Sequence, residues 1–290
     1  MNIIKTSDLT REYVKKLFYD LPEIMEEMHG KTMATLFLEP STRTRLSFEV
    51  AMQSLGGKVV SVSSEGTTSV TKGESLPDTV KSISQYVDLI AIRSSGIGDA
   101  NIAGLYSDCP VINAGSGYGE HPTQALTDLY TIYKEKGTYT GLKILVSGDF
   151  MWGRAAKSFI RLAALFDNEI WMDSHSNLRI AGESSPKWNQ CAWTKVSPAP
   201  PAIEIAKQAD VIYMSRIQQD RDSGLNHLPP SFRITPEVME SLREDAIIMH
   251  PLPRKSEIDP AVDKDPRAVY FKQAKYGLEI RRKLIWEMIG

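Results

Sequence analysis

Three hydroxyls and two arginines fall within five residues, Ser41-Thr42-Arg43-Thr44-Arg45, just after an apolar run at residues 33–38 and the break at Pro40. Hydroxyl and guanidinium donors at that density suit a doubly charged oxyanion such as a phosphate group. Leu46, Val50, Met52 and Leu55 then recur at about helical spacing as far as Gly56-Gly57, so the donors stand where a strand gives way to a helix. A helix start adds unpaired backbone N–H groups and the positive end of the macrodipole at the same spot. A lone Ser-Thr-Arg would ordinarily be a helix cap with a solvated arginine. Five donor residues in succession favour a ligand.

Other polar residues sit at comparable breaks. Arg93 closes the apolar run 88–93. A glycine-bearing segment, 114–120, leads into His121-Pro122-Thr123-Gln124, after which Leu126, Leu129, Ile132 and Tyr133 follow at helical spacing. Residues 63–73 carry Thr67, Thr68, Ser69, Thr71 and Lys72 and read as a polar loop. In the second half, Arg154 follows Gly153, Arg216 and Gln218 follow the run 210–214, and His250-Pro251-Leu252-Pro253-Arg254 follows the run 246–249. Taken singly, each of these would more often be a surface charge or a satisfied loop residue.

The elements that must position these groups alternate strand with helix. Strands are expected at 33–38, 58–62, 88–93, 110–113, 142–146, 169–172, 210–214 and 246–249. Helices are expected after 44, at 75–87, 123–136, 154–166, 201–208 and 278–289, with a packing pair at 10–28. That alternation implies an α/β protein with two doubly wound parallel-sheet domains and a cleft between them, bridged by the helix that starts at Thr123. Ligands in such sheets bind beyond the carboxyl ends of the strands, where the loops after residues 38, 92 and 113 would converge.

Composition bounds the partners. The 290 residues carry 34 basic and 36 acidic side chains, a formal charge of -2, so no overall field draws in nucleic acid or an anionic membrane. Cys109 and Cys191 are the two cysteines and have no metal-ligand spacing, which suits a reducing, cytoplasmic compartment; neither a metal nor a membrane span is expected. The turn 147–153 lacks the GxGxxG spacing, and its Phe-Met-Trp would obstruct a pyrophosphate, even though Asp173 stands about 20 residues on, where a ribose contact would be. No cofactor is expected.

The ordered set of residues 37–49, Lys72-Gly73-Glu74-Ser75-Leu76, Arg93, Asn113-Ala114-Gly115 with His121-Pro122-Thr123-Gln124, Arg216-Ile217-Gln218, His250 to Arg254 and Tyr270-Phe271-Lys272-Gln273-Ala274 resembles aspartate carbamoyltransferase catalytic chains. The likeness extends from about Thr10 to the C-terminus. Within the aspartate/ornithine superfamily, Lys72 before Gly73-Glu74 and the Pro-Leu-Pro after His250 look like the aspartate branch. The resemblance implies transfer of a carbamoyl group from carbamoyl phosphate to the amine of L-aspartate, a step of pyrimidine synthesis. It implies a carbamoyl phosphate-binding domain at 1–135, with the helix 276–290 packing back on it, and an aspartate-binding domain at 136–275.

By the same resemblance, Ser41, Thr42, Arg43 and Thr44 hold the phosphate. Thr44, Arg93 and His121 donate to the carbonyl oxygen, and Gln124 orients the carbamoyl amide. Arg154 takes the α-carboxylate of aspartate, Arg216 and Gln218 take its side-chain carboxylate, and the backbone carbonyl of Leu252 receives the amine. Lys72, with Thr68 or Ser69, enters the site of a neighbouring subunit, which implies a homotrimer; a regulatory chain is a further partner that the resemblance allows. The chain departs from the family where Ser94-Ser95 replaces the usual His-Pro, and across 173–197. Both departures bear on the acceptor, so a carbamoyltransferase for a different amine and a non-catalytic carbamoyl phosphate-binding or assembly subunit stay open beside the leading reading.

Overall fold

The computed structural model describes residues 1–20, 27–63, 73–175, 178, 197–198, 202–218 and 230–290. The chain divides into two compact units, Met1–Thr127 with Ala274–Gly290, and Asp128–Gln273.

In the first unit, α1 (Arg11–Lys15) runs into a π-helical turn, Lys16–Asp20. Strand β1 (Thr32–Phe37) is followed by α2 (Thr42–Ser54), and β2 (Lys58–Ser63) pairs in parallel with β1. Helix α3 (Leu76–Ile83) starts at Ser75, whose hydroxyl accepts the Asp78 N–H at 3.3 Å, the capping expected from Ser75-Leu76-Pro77-Asp78. Strand β3 (Leu89–Ser94) pairs with the other side of β1, and after α4 (Asp99–Tyr106) strand β4 (Val111–Ser116) pairs with β3. The sheet order is therefore β2-β1-β3-β4, all parallel. Its inner strands are nearly continuous apolar runs because both faces are covered, and Ala34, Leu36, Ile90, Ile92 and Val111 form a core with Val80 and Ala103 from the helices.

Helix α4 was not legible: it contains Gly104 and exposes Leu105 and Tyr106, so it shows no regular apolar stripe. Helix α5 (Pro122–Lys136) begins in the first unit and continues into the second.

The second unit is built on β5 (Lys143–Ser147), whose Ile144, Leu145 and Val146 are fully buried; each such side chain contributes about 1.5–3 kcal/mol. Helix α6 (Arg154–Ala163) leads through a 3-10 turn to β6 (Glu169–Asp173), and β7 (Ser197–Pro198) lies beyond it. Helix α7 (Ala202–Ala206) precedes β8 (Val211–Met214), which pairs with the other side of β5, and α8 (Pro236–Ser241) precedes β9 (Ile247–Met249). The order is β7-β6-β5-β8-β9, again parallel throughout.

Helix α9 (Tyr270–Ile289) begins eight residues before the position read from the apolar pattern, and it runs from the second unit back into the first. Gly277 masks the pattern there. A Cβ at that position would lie 2.6 Å from Nη1 of Arg281, one turn on in the same helix, and 3.1 Å from Cγ2 of Thr127, so α9 passes tightly against α5 there.

In each sheet the winding direction reverses next to the first strand, between β1 and β3 and between β5 and β8. Loops leaving the carboxyl ends of those two strands diverge, and the crevice they leave is where ligands bind in sheets of this kind.

Candidate active site

The switch point of the first unit carries the hydroxyl and arginine cluster. Ser41 is the extended N-cap of α2, and its hydroxyl does not cap the helix; Thr42 and Arg43 are exposed in the first turn, and Thr44 is buried. Arg93 lies opposite Phe37 in the β1/β3 register. Its Nη1 donates to the Thr44 hydroxyl at 3.3 Å and its Nε to the Glu39 carboxylate at 2.8 Å, while the Leu38 N–H donates to the Arg93 carbonyl at 2.7 Å. Three bonds thus tie the loop after β1 and the first turn of α2 to the end of β3.

The loop after β4 is fastened to the same edge. The Gly117 N–H donates to the Ser94 carbonyl at 2.9 Å, and Gly117 has φ +48 with Ser95 O only 2.7 Å from where a Cβ would be, so glycine is required by both conformation and space. The buried Asn113 amide donates to the Ile4 carbonyl and the Ser116 hydroxyl and accepts the Gly115 N–H, fixing the turn. His121 is buried at the start of α5, where its carbonyl accepts the N–H groups of Gln124 and Ala125. Arg93 and Thr44 are in direct contact, and His121 and Gln124 follow the adjacent strand at the same sheet edge. Thr68, Ser69 and Lys72 lie outside the described residues.

In the second unit Arg154, Arg216 with Gln218, and Leu252 follow β5, β8 and β9, three adjacent strands whose carboxyl ends face one way. Arg154 is the first residue of α6 and is buried. One side chain organises two of these loops: Asp149, fully buried, accepts the Met151 and Trp152 N–H groups at 2.9 and 2.8 Å on Oδ1 and the Gln218 N–H at 3.0 Å on Oδ2. Gly148, at φ +139, leaves only 2.3 Å between a would-be Cβ and the Ser215 carbonyl oxygen, so the two loops abut through backbone. Asp173 has its carboxylate held by the hydroxyls of Ser147 and Ser231 at 2.6 and 2.7 Å.

The Leu252 N–H donates to His250 Nδ1 at 2.7 Å, and the other ring nitrogen meets Glu257 at 2.7 Å. Burial pushes the Glu257 carboxyl up, but the hydrogen bond from His250 and the Lys255 and Glu257 N–H groups outweigh it and leave it below the ordinary range.

Sequence reasoning passed over Asp149, Glu39, His250 and Glu257 as individual site residues. Asp149 had a readable signal, since an Asp followed by a tight turn and a glycine commonly bonds the N–H groups two and three residues on. Glu39 and Glu257 had none, because their partners come from other segments.

Two doubly wound units, each carrying arginines at its switch point, define a two-domain α/β enzyme. Residues 1–134 match the aspartate/ornithine carbamoyltransferase carbamoyl-P binding domain, and residues 140–288 match the Asp/Orn binding domain of the same family. The chain belongs to the aspartate/ornithine carbamoyltransferase family. It is 41% identical over 303 aligned residues to an aspartate carbamoyltransferase catalytic subunit of Clostridium perfringens, covering 100% of this chain and 98% of that one. It is 43% identical over 272 residues to the corresponding subunit of Thermoplasma acidophilum, covering 91% and 87%. A crystal structure of Trypanosoma cruzi aspartate transcarbamoylase in complex with N-(phosphonacetyl)-L-aspartic acid superposes with a TM-score of 0.91 at 30% identity, covering 100% of this chain and 96% of that one.

Proposed function

We propose that the chain is an aspartate carbamoyltransferase: it transfers the carbamoyl group of carbamoyl phosphate to the amine of L-aspartate, giving N-carbamoyl-L-aspartate and phosphate for pyrimidine synthesis. The neutral amine attacks the carbonyl carbon, the carbonyl oxygen takes up negative charge, and the bond to the phosphate oxygen then breaks with its electron pair. The amine's surplus proton leaves to phosphate or solvent. No covalent intermediate is required, so the protein acts by positioning and by fixed donors.

In this reading Ser41, Thr42, Arg43 and Thr44 bind the phosphate, with the N-terminus of α2 beneath them. Thr44, Arg93 and His121 stabilise the oxyanion, and Gln124 orients the carbamoyl amide. Arg154 takes the α-carboxylate, Arg216 and Gln218 take the side-chain carboxylate, and the Leu252 carbonyl receives the amine. The observation that carries the reading is the Arg93–Thr44 contact at 3.3 Å, at a switch point directly beside a helix start rich in hydroxyls. The Trypanosoma cruzi neighbours solved with carbamoyl phosphate and with aspartate and phosphate support the same pair of substrates.

A homotrimer in which Lys72 and Thr68 or Ser69 serve the neighbouring site is part of this proposal, supported by the exposed Leu46 and Val50 of α2 and Val60 of β2, the strand that leads into that segment. Among the described residues no helix is long and apolar enough to cross a membrane. A cytoplasmic setting suits two cysteines, of which Cys109 is a thiol.

The test is incubation of the purified chain with carbon-13-labelled carbamoyl phosphate and L-aspartate. Labelled N-carbamoyl-L-aspartate is expected; absence of aspartate-dependent phosphate release overturns the proposal.

A further inference from the structure

The turn after β9 holds an imidazole that none of the roles above employs. His250 is 1% exposed, and three hydrogen bonds surround it. Leu252 has φ +55, a left-handed conformation that costs a non-glycine residue about 1–2 kcal/mol, and its N–H points back to His250 Nδ1 at 2.7 Å. A backbone N–H can only donate, so Nδ1 carries the lone pair and the ring proton sits on Nε2. That proton is donated to Glu257 Oε1 at 2.7 Å, an oxygen that also accepts the Lys255 N–H at 3.0 Å; Glu257 is 3% exposed.

The backbone side of His250 is clamped as well. Its N–H donates to Gln273 Oε1 at 3.1 Å, the Gln273 amide donates to Asp128 at 2.5 Å, and Asp128 also accepts the Tyr213 hydroxyl at 2.9 Å, all of it buried. The carboxylate of Glu257 therefore fixes the tautomer of His250, the tautomer supplies the only kind of partner a backbone N–H can use, and that bond holds the peptide of Leu252 against its unfavourable conformation.

We infer that His250 and Glu257 are positioning residues, a buried pair that sets the orientation of the Leu252 backbone for the amine of the acceptor amino acid. The inference rests on the reading of Leu252 given above and goes beyond it by assigning what aims the carbonyl. Neither residue touches substrate. Their contribution falls on the acceptor and leaves the donor half of the reaction alone, because every bond in the chain of contacts runs within the second unit.

Two substitutions at His250 separate the two bonds. The amide oxygen of Asn stands near the place of Nδ1 and can accept the Leu252 N–H, whereas the amide nitrogen of Gln stands near the place of Nε2 and reaches Glu257 without serving Leu252. Steady-state kinetics of the full-length protein should give an aspartate KM raised about tenfold or more in His250→Gln, with the carbamoyl phosphate KM within about twofold of wild type, and an aspartate KM recovered to within about threefold in His250→Asn. Glu257→Leu should raise the aspartate KM and Glu257→Gln, which keeps an acceptor for Nε2–H, should recover part of it. An aspartate KM unchanged in His250→Gln, or raised equally in His250→Asn and His250→Gln, overturns the positioning role. A wild-type chain with no aspartate-dependent turnover overturns the function itself, a distinct outcome.

Discussion

The guanidinium of Arg93 is shared between Thr44 and Glu39: Nη1 donates to the threonine hydroxyl at 3.3 Å and Nε to the carboxylate at 2.8 Å. Glu39 fixes the plane of the guanidinium, and the pair is only 16% and 14% exposed, so water screens it little. Arg93→Ala should lower kcat by about a hundredfold to a thousandfold, the usual cost of removing one fixed donor to a developing oxyanion. Glu39→Ala should lower it less, through loss of aim alone, and Glu39→Gln less still. Rate measurements at saturating substrates order the three; Glu39→Ala as slow as Arg93→Ala would contradict the assignment.

Asp149 should matter to the acceptor without touching it. Replacing it by Ala strands three backbone N–H groups, at Met151, Trp152 and Gln218, and a buried unsatisfied donor costs about 1–3 kcal/mol. The loops bearing Arg154 and Gln218 then lose their mutual register. The expected outcome is a lower Tm and an aspartate KM raised about tenfold or more, with binding of carbamoyl phosphate, measured alone by calorimetry, little changed.

Gly148 and Gly137 both have positive φ, but their surroundings differ. A Cβ on Gly148 would fall 2.2 Å from the Ser215 hydroxyl and 2.3 Å from its carbonyl oxygen, whereas nothing lies within 4 Å of one on Gly137. Gly137→Ala should cost about 1 kcal/mol from conformation alone. Gly148→Ala adds a clash with backbone and should cost about 2 kcal/mol or more, with a loss of aspartate affinity that Gly137→Ala does not show. Thermal denaturation and kinetics of the two variants side by side check both statements.

The Glu257 carboxyl gives the stability a dependence on pH. Its folded-state pKa lies below the ordinary 4.5, so the unfolded chain binds the proton more readily. The stabilisation is present in full above 4.5 and is lost as pH falls through the lower folded value. Glu257→Gln removes that dependence, so chemical denaturation from about pH 5 to about pH 3 should show a shallower decline for the variant than for wild type.

Much of the fold was legible because parallel strands buried on both faces read as unbroken apolar runs; residues 33–38 and 88–93 correspond to β1 and β3 within a residue or two. What escaped did so for local reasons. Helix α4 exposes Leu105 and Tyr106, Gly277 interrupts the pattern of α9, and β4 extends to Ser116 through Gly115, which a reading of propensity would place in a loop.

The candidate site divided in the same way. Ser41, Thr42, Arg43 and Thr44 announced themselves because the donors are consecutive. Residues that act by holding others, such as Glu39 on Arg93 54 positions away, or Asp149 on Gln218 69 positions away, leave no local trace, since only the folded register brings them together.

The central claim is a division of labour: the switch point of the first unit handles the phosphate donor and that of the second handles the dicarboxylate acceptor. Calorimetric binding of carbamoyl phosphate in the absence of aspartate, joined to steady-state KM values for aspartate, tests it directly on Arg43→Ala and Arg216→Ala. Arg43→Ala is expected to weaken carbamoyl phosphate binding by about tenfold or more, and Arg216→Ala to raise the aspartate KM by at least as much while binding carbamoyl phosphate like wild type. Carbamoyl phosphate binding lost equally in both variants, or aspartate KM unmoved by Arg216→Ala, would contradict the account.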